Sequence, residues 1–136
     1  MSKCYHIIGC GTIGYPLSER LMSMYPDMNI HLWDDDNVEE DNIIFPKQYL
    51  GTPKVDAVKD ILLYYARKES SINIHNQKCT NSDLRIFKND FKINCIDQKK
   101  KFNLKTNLSV SYDGPFINIS DGHIKNYINN VPQYYP

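Results

Sequence analysis

The chain has 136 residues, and its 16 lysines and arginines balance its 16 aspartates and glutamates, so its formal net charge at pH 7 is zero. This length corresponds to one domain, which we predict over residues 1–136, with an irregular tail over about 121–136. The charge balance argues against nucleic acid or an anionic membrane as a partner. No apolar stretch approaches the roughly 20 residues needed to span a bilayer.

Stretches of strand and helix character alternate along the chain. Helices are predicted over 12–24 and 54–68, where apolar residues recur at spacings of three and four, and a weaker helix over 98–110. Residues 34–53 form a long polar connection, and residues 76–90 have no clear pattern. Strands are predicted over 3–8, 28–33, 71–75, 91–96 and 115–120. This order predicts an α/β fold, a Rossmann-like three-layer sandwich with a mostly parallel sheet of about five strands.

A glycine-rich segment, GCGTIG, joins the first predicted strand to the first predicted helix. In its G-x-G-x-x-G pattern, Gly9 allows a tight turn, Gly11 lets the backbone approach a phosphate, and Gly14 lets the helix pack against the strand. The helix N-terminus then offers free N–H groups and a partial positive charge. We therefore place these glycines and Thr12 in a nucleotide-binding loop, with a purely structural turn as the alternative.

An acidic residue at the end of the second predicted strand completes this pattern. Asp34 stands where a carboxylate accepts hydrogen bonds from ribose hydroxyls. Asp35 and Asp36 follow it, and no arginine or lysine stands beside them to meet a 2′-phosphate, so NADP is disfavoured. The alternative interpretation is a solvated acidic turn. On these residues alone, NAD and ATP fit equally well.

The segment from 32 to 62, LWDDDNVEEDNIIFPKQYLGTPKVDAVKDIL, resembles the signature of the ThiF/MoeB/HesA family of ATP-dependent activating enzymes. That family carries Asp-x-Asp-x-Val-Glu, then an Asn, then Arg-Gln, then Gly-x-x-Lys at the start of a helix. The matching residues here are Asp34, Asp36, Val38, Glu39, Asn42, Lys47, Gln48, Gly51 and Lys54. The later segments INCIDQ and GPFINIS resemble the family's strand ending in Cys-Thr-Asp-Asn and its following strand. The resemblance covers roughly residues 5–120.

The resemblance implies ATP and Mg²⁺ as cofactors and adenylylation of a carboxylate, typically the C-terminal glycine of a small ubiquitin-like or sulfur-carrier protein. Its implied catalytic set is Asn42, Lys47, Lys54 and Asp97. Asp97 would also hold the metal, since Mg²⁺ prefers one or two carboxylates with phosphate oxygens and waters. The implied nucleotide-binding set is Gly9, Gly11, Thr12, Gly14, Asp34, Asp36 and Gln48.

The sequence departs from the family pattern at three points. Lys47 takes the place of an arginine, two residues further from Asn42, and lysine is a point charge where arginine binds phosphate in a bidentate way. No predicted helix precedes the first strand to supply an arginine across a dimer. The family's zinc-binding cysteine pairs and thioester cysteine have no counterpart. We therefore predict adenylylation without a thioester step.

Simpler roles are open for several residues. Lys54 is alternatively a surface lysine at a helix start, and Asn42 an ordinary loop asparagine. Asp97 is alternatively the N-cap of a helix from residue 98, a role compatible with metal binding. His6, within a predicted strand, is interpreted as a packed histidine and not as a catalyst.

The cysteines and the first strand predict the compartment. Cys4, Cys10, Cys79 and Cys95 include no C-x-x-C pair, so we expect free thiols acting as small apolar residues, without structural zinc. The first predicted strand leaves no room for a signal peptide. Together these observations predict a cytoplasmic protein.

Three functions compete at this point. The first is a minimal ThiF-like adenylyltransferase acting on a ubiquitin-like protein or a peptide with a free C-terminus. The second is a non-catalytic nucleotide-binding or interaction module of the same fold, serving as a sensor, an inhibitor or a structural component. The third is a small NAD-binding protein, for which the sequence offers no hydride-transfer pair. Because the fifth strand would leave an open sheet edge, we also predict a homodimer or a partner that completes the site.

Overall fold

A computed structural model describes residues 4–96, 104–113 and 116–121. Within these ranges the helices are α1 (Gly14–Met24), α2 (Lys54–Leu62) and α3 (Asn81–Ile86), with short 3₁₀ turns at Lys47–Tyr49 and Glu69–Ser71. The strands are β1 (Cys4–Ile8), β2 (Asn29–Trp33), β3 (Ile72–His75), β4 (Phe91–Asn94), β5 (Leu108–Asp113) and β6 (Phe116–Asp121). No helix in these ranges is long and apolar enough to cross a bilayer.

The strands form a single sheet in the order β3-β2-β1-β4-β5-β6. All neighbours are parallel except β5 and β6, which form an antiparallel hairpin at one edge. Strand β1 is central, and its residue Ile7 is in register with Leu32 of β2 and Ile93 of β4. The predicted Rossmann-like α/β fold with a mostly parallel sheet is therefore confirmed, with one strand more than expected.

One face of the sheet is apolar and is covered by α1 and α2. The largest core cluster includes Ile7, Ile30 and Leu32 from the strands, each fully buried. Met22 of α1 and Val58 of α2 pack into the same cluster and are also fully buried. Because alternate residues of a strand point to opposite faces, this packing leaves the intervening side chains for the other face.

The opposite face is covered by α3 and the residues next to it. Ile8 and Trp33, the last residues of β1 and β2, pack with Leu84 of α3 in a smaller cluster. Thr80 caps α3 by accepting a hydrogen bond from the Asp83 backbone N–H, and the Asp83 carboxylate accepts from Thr80 in return. This capping box defines a helix in a segment where the sequence analysis found no pattern.

Two predicted helices are corrected. The helix over 98–110 is wrong where the structure describes it, because residues from Leu108 onward belong to β5 and residues 104–107 are irregular. Alternating Leu108 and Val110 pack against the core, as half-buried strand residues do. The helix over 54–68 ends at Leu62, where the Tyr64 and Tyr65 N–H groups donate to carbonyls three residues back and form turns in place of a further helical turn. Beyond these turns the Arg67 N–H donates to the Pro26 carbonyl. The predicted irregular tail lies outside the described residues, apart from Asp121 in β6.

Candidate nucleotide-binding site

The glycine loop between β1 and α1 is packed so closely that two of its glycines have no room for a side chain. Gly9 has φ of +96°, and a Cβ there would lie 3.0 Å from the backbone of Cys95 and Ile96. A Cβ on Gly14 would lie 1.7 Å from the Gly9 carbonyl oxygen. These contacts press the start of α1 against the end of β1, as the third glycine of the pattern requires.

Gly11 differs from these two because the space beside it is open. A Cβ at Gly11 would meet no protein atom within 4 Å, and the residue lines a cleft of about 380 Å³. Helix α1 begins immediately behind it, and its N-cap residue, Ile13, has no side-chain group to cap the first turn. The backbone at Gly11 is thus accessible to a ligand at a positively polarised helix end.

Asp34, at the end of β2, holds the loop in place. Its Oδ2 accepts a hydrogen bond of 2.8 Å from the Cys10 backbone N–H, and its Oδ1 accepts one of 2.8 Å from the Asp36 N–H. The Gly9 N–H donates to the Trp33 carbonyl at 2.8 Å. The carboxylate therefore joins the glycine loop to β2, and it lines the cleft with acceptor capacity beyond these two hydrogen bonds.

The long connection after β2 folds back on itself and carries a lysine into the cleft. Val38 N–H donates to the Thr52 carbonyl at 2.8 Å, and buried Val38, Phe45 and Tyr49 anchor the connection in the core. Lys54 then opens α2 with its side chain only 12% exposed and its Nζ 3.9 Å from Asp36 Oδ2. The lysine is thus a largely desolvated cation at the cleft wall.

Asn42 has a structural contact that limits what it can offer a ligand. Its Oδ1 accepts a hydrogen bond of 2.7 Å from the Glu39 N–H, while the Glu39 carbonyl accepts from the Asn42 N–H at 3.0 Å. The side-chain carbonyl therefore closes the turn from 39 to 42. The side-chain NH₂ group, with two donors, is the part of Asn42 suited to a phosphate oxygen.

The cleft brings together most of the predicted site residues. Lys47 and Gln48 are exposed on their 3₁₀ turn and do not line the cleft. Gly14 does not line the cleft either, but it supports the glycine loop from behind. Asp97 lies outside the described residues. Those that line the cleft are Gly9, Gly11, Thr12, Asp34, Asp36, Asn42 and Lys54.

The charges around the cleft are predominantly negative in the part of the chain that the structure describes. The described residues that line the cleft include two lysines, Lys54 and Lys78, and four aspartates. Sequence reasoning missed Lys78, because it stands in the segment without a pattern, and Asp41, because it is not part of the family signature. The aspartates are Asp34, Asp35, Asp36 and Asp41.

The cysteines at and near this site are buried and protonated at neutral pH. Burial raises the pKa of both Cys79 and Cys95 to about 12, and it raises the pKa of Cys10 well above its usual value. A thiolate is the nucleophilic form of cysteine. These three side chains are therefore poor nucleophiles in this structure.

Solved structures share this fold. The chain matches E. coli MccB with ATP at a TM-score of 0.61 and 22% identity, over 82% of this chain and 37% of MccB. E. coli MccB with AMPCPP and MccA matches at the same values, and PaaA matches at a TM-score of 0.56 and 20% identity, over 80% of this chain and 37% of PaaA. The chain thus spans well under half of these proteins.

Sequence comparisons give the family. A search of curated proteins returns no significant match. Residues 2–122 match the ThiF family, which agrees with the glycine loop and with the Asp34-to-Lys54 connection described above. The chain therefore belongs to the ThiF family and has its adenylyltransferase-like fold.

Proposed function

We propose that this chain binds ATP with Mg²⁺ in the cleft and adenylylates the C-terminal carboxylate of a peptide or a small ubiquitin-like protein, without a thioester step. The observation that carries the proposal is the meeting of an open Gly11 backbone, the Asp34 clamp and the desolvated Lys54 in one cleft. The fold of MccB, which has been solved with ATP, supports it.

Each group in the cleft has a role suited to its chemistry. The backbone at Gly11 and the start of α1 would hold phosphate oxygens. Lys54 would neutralise phosphate charge, and the Asn42 NH₂ group would orient the phosphate chain. The remaining lone pairs of Asp34 would accept hydrogen bonds from the ribose hydroxyls.

The reaction is a displacement at the α-phosphorus. A carboxylate oxygen of the substrate forms a bond to that phosphorus, the bond to the bridging oxygen of the pyrophosphate breaks, and pyrophosphate leaves with its electrons. Two anions must approach each other, so catalysis depends on positioning and on neutralising charge. Lys54 is the described residue best placed to supply that charge.

A magnesium requirement follows from the charge of the cleft. Four aspartates against two lysines repel a polyphosphate unless a cation accompanies it. Mg²⁺ would supply this charge, and we retain Asp97 as the proposed residue that holds it. ATP without the metal is therefore expected to bind much more weakly.

The positions of Lys47 and Gln48 bear on the family's arginine-glutamine pair. Both side chains are exposed outside the cleft, so their proposed phosphate contacts require the turn Lys47–Tyr49 to shift when the nucleotide binds. We also propose that a second copy or another protein completes the site, since β6 is an edge strand of the sheet in the described residues and an open edge favours pairing.

The exposed Lys47 also favours a second candidate function. Lys47 stands at the family's arginine position but does not line the cleft. A cleft that lacks this cation is suited to binding a nucleotide without turning it over, so the alternative is a non-catalytic nucleotide-binding module. The two functions differ in one measurable step, the release of pyrophosphate.

Calorimetric titration of the purified protein with ATP tests the binding half of the proposal. MgATP should bind, while ATP with a chelator, AMP and NAD should bind more weakly. Lys54→Ala should weaken MgATP binding roughly ten- to hundredfold, because hydrogen bonds to charged groups contribute about 1.5–3 kcal/mol. Lys59→Ala, on the same helix but paired with Glu69 at 3.8 Å, is the matched control and should bind normally.

Exchange of labelled pyrophosphate into ATP tests the catalytic half. Peptides with a free C-terminus should stimulate exchange, and the same peptides with an amidated C-terminus should not. MgATP binding without exchange across a broad peptide set would favour the non-catalytic module. NAD binding in place of MgATP would contradict both functions.

A further inference from the structure

A second polar cluster lies on the sheet face opposite α1 and α2. Cys4 and His6 come from β1, His31 from β2, and Asp90 directly precedes β4. One sulfur, nitrogen or oxygen donor atom from each lies within 4.8 Å of all the others. Cys4 is the first residue of β1 while the nucleotide cleft follows its last residue, so the two sites are at opposite ends of that strand.

The hydrogen bonds of His6 fix its tautomer. The indole Nε1–H of Trp33 donates to His6 Nδ1 at 3.0 Å, and an indole nitrogen is a donor only. His6 Nδ1 is therefore the acceptor, and the neutral ring carries its proton on Nε2, which donates to Asp90 Oδ2 at 2.8 Å. His6 thus has no free lone pair for a ligand, and it orients the Asp90 carboxylate.

The ring of His31 is held from two sides. Its Nδ1 lies 2.9 Å from His75 Nε2, a hydrogen bond in which one of the two nitrogens donates and the other accepts. Its ring stacks on His6 at 4.3 Å with an angle of 11°, and on His75 at 5.1 Å with an angle of 10°. A metal ion at His31 Nε2 requires the proton on Nδ1, and His75 Nε2 is in place to accept that hydrogen bond.

Cys4 and Asp90 complete a set of donors that solvent can reach. Cys4 is half-buried, and its thiol hydrogen-bonds to Asp90. The Asp90 side chain is 24% exposed, so the cluster is open at that side. Oδ2 of this carboxylate accepts from His6, and the hydrogen bond from the Cys4 thiol is lost when that thiol releases its proton to bind a metal ion.

We propose that Cys4 Sγ, His31 Nε2 and the Asp90 carboxylate bind a divalent transition-metal ion of the zinc class. Thiolate and imidazole donors favour such ions over Mg²⁺ and Ca²⁺. Zinc ligands lie at about 2.3 Å for sulfur and about 2.0–2.2 Å for nitrogen and oxygen. Cys4, His31 and Asp90 each already place one donor atom within 4.8 Å of the others, so the three side chains need only modest shifts to bind one ion.

Neighbouring residues form hydrogen bonds that suit a metal site, and one of them, Lys92, carries a charge that disfavours it. His75 can accept the Nδ1 proton of a metal-bound His31, and His6 hydrogen-bonds the carboxylate, as the residues behind metal ligands typically do. Binding displaces the thiol proton of Cys4 to solvent, so the ion meets one thiolate and one carboxylate. Buried Lys92, whose Nζ donates to the Asp90 carbonyl at 2.9 Å, adds an unfavourable positive charge.

Titration of the chelator-treated full chain with Co²⁺ tests the site. We expect one equivalent to produce a thiolate-to-cobalt charge-transfer band and the visible bands of a four-coordinate ion, and Zn²⁺ to displace them. Cys4→Ser should abolish the charge-transfer band, and His31→Gln should weaken Zn²⁺ binding at least tenfold. Cys79→Ser is the matched thiol control and should keep the full spectrum.

A second measurement separates loss of binding from loss of folding. Zn²⁺ should raise the melting temperature of the wild type and of Cys79→Ser, because an ion that binds only the folded state stabilises it. It should not raise that of Cys4→Ser, provided the variant keeps its circular dichroism. A folded wild type with neither a cobalt spectrum nor a zinc-dependent melting shift overturns the proposal, as does an unchanged spectrum in Cys4→Ser. ATP plays no part in either readout, so the outcome is independent of the nucleotide proposal.

Discussion

The two faces of the sheet are stabilised in different ways. The face under α1 and α2 is built from fully buried aliphatic side chains such as Ile7, Ile30 and Leu32. The opposite face carries His6, His31, His75 and Trp33 in stacked rings joined by hydrogen bonds; we call it the histidine face. Trp33 and His75 stack at 3.7 Å, the closest pair of these rings.

The alternation of side chains along each strand thus separates two kinds of stabilisation. Aliphatic packing depends on the area removed from water and does not change with pH. The histidine face depends on which nitrogens carry protons. The free energy of unfolding should therefore respond to volume on one face and to pH and hydrogen bonding on the other.

The largest expected effect comes from the aliphatic face. Leu32→Ala should lower the free energy of unfolding by about 2–5 kcal/mol, because it leaves a cavity in a fully buried site. Urea denaturation at pH 7 and pH 5 measures the change. The loss should be the same at both pH values; a strongly pH-dependent loss would contradict the comparison.

Trp33→Phe should break the histidine face at its central hydrogen bond. The substitution leaves the fully buried His6 without its Nδ1 donor, at a cost of about 1–3 kcal/mol, and the smaller ring adds a packing loss. Urea denaturation measures this as well. Phe91→Leu, at a half-exposed aromatic position, is a control expected to change stability less.

Acid should weaken the histidine face selectively. Burial lowers the pKa of His6 and His75 below the ordinary 6.5 and that of His31 to about 4. Between about pH 4 and pH 6.5 these histidines therefore bind more protons in the unfolded chain than in the folded chain. The free energy of unfolding should be highest above about pH 6.5 and should fall as the pH drops towards 4. Denaturation across this window, with a chelator present, measures the slope.

Matched variants assign that slope to the histidine face. His31→Gln should flatten it, whereas Leu32→Ala should lower the whole curve without changing its shape. Burial raises the pKa of Asp90, but hydrogen bonds from His6 and Cys4 outweigh this and hold it below the ordinary 3.8. Asp90 is thus ionised throughout the window, and a flat wild-type profile would contradict the assignment.

The smallest expected effect concerns the rim of the histidine face. Asp90→Asn keeps an acceptor for the His6 Nε2–H but removes its charge, so stability at pH 7 should fall by about 1 kcal/mol. Asp27→Asn, at an exposed pair with Arg67 of 3.4 Å, is the control and should change stability by about 0.5 kcal/mol or less. Equal losses in the two variants would mean that the His6–Asp90 contact contributes no more stability than an exposed ion pair.

Local patterns predicted the parts of this molecule that depend on neighbouring residues. The glycine loop and the alternation in Phe91–Asn94 were readable because turn chemistry and strand period are local properties. The capping box at Thr80 and Asp83 and the alternation of Leu108 and Val110 were also present in the sequence, but they were not recognised.

Long-range contacts explain what the sequence analysis did not find. The proposed metal ligands Cys4, His31 and Asp90 come from three separate segments, so no C-x-x-C spacing marks them. The prediction of free thiols without structural zinc used that spacing and the positions of cysteines beside predicted core strands. His6 is buried as predicted, but its partners are visible only in the fold. Whether Lys47 lines the cleft likewise depends on how the long connection packs.

The central position of β1 has a consequence for synthesis on the ribosome. Tyr5 pairs with Phe91 on one side, so β1 has to wait until β4 has been made. At roughly 5–20 residues per second, fully buried Ile7 and Ile8 then stay without one of their neighbouring strands for several seconds. The nascent chain is therefore most exposed to aggregation or chaperone capture before its fourth strand is complete.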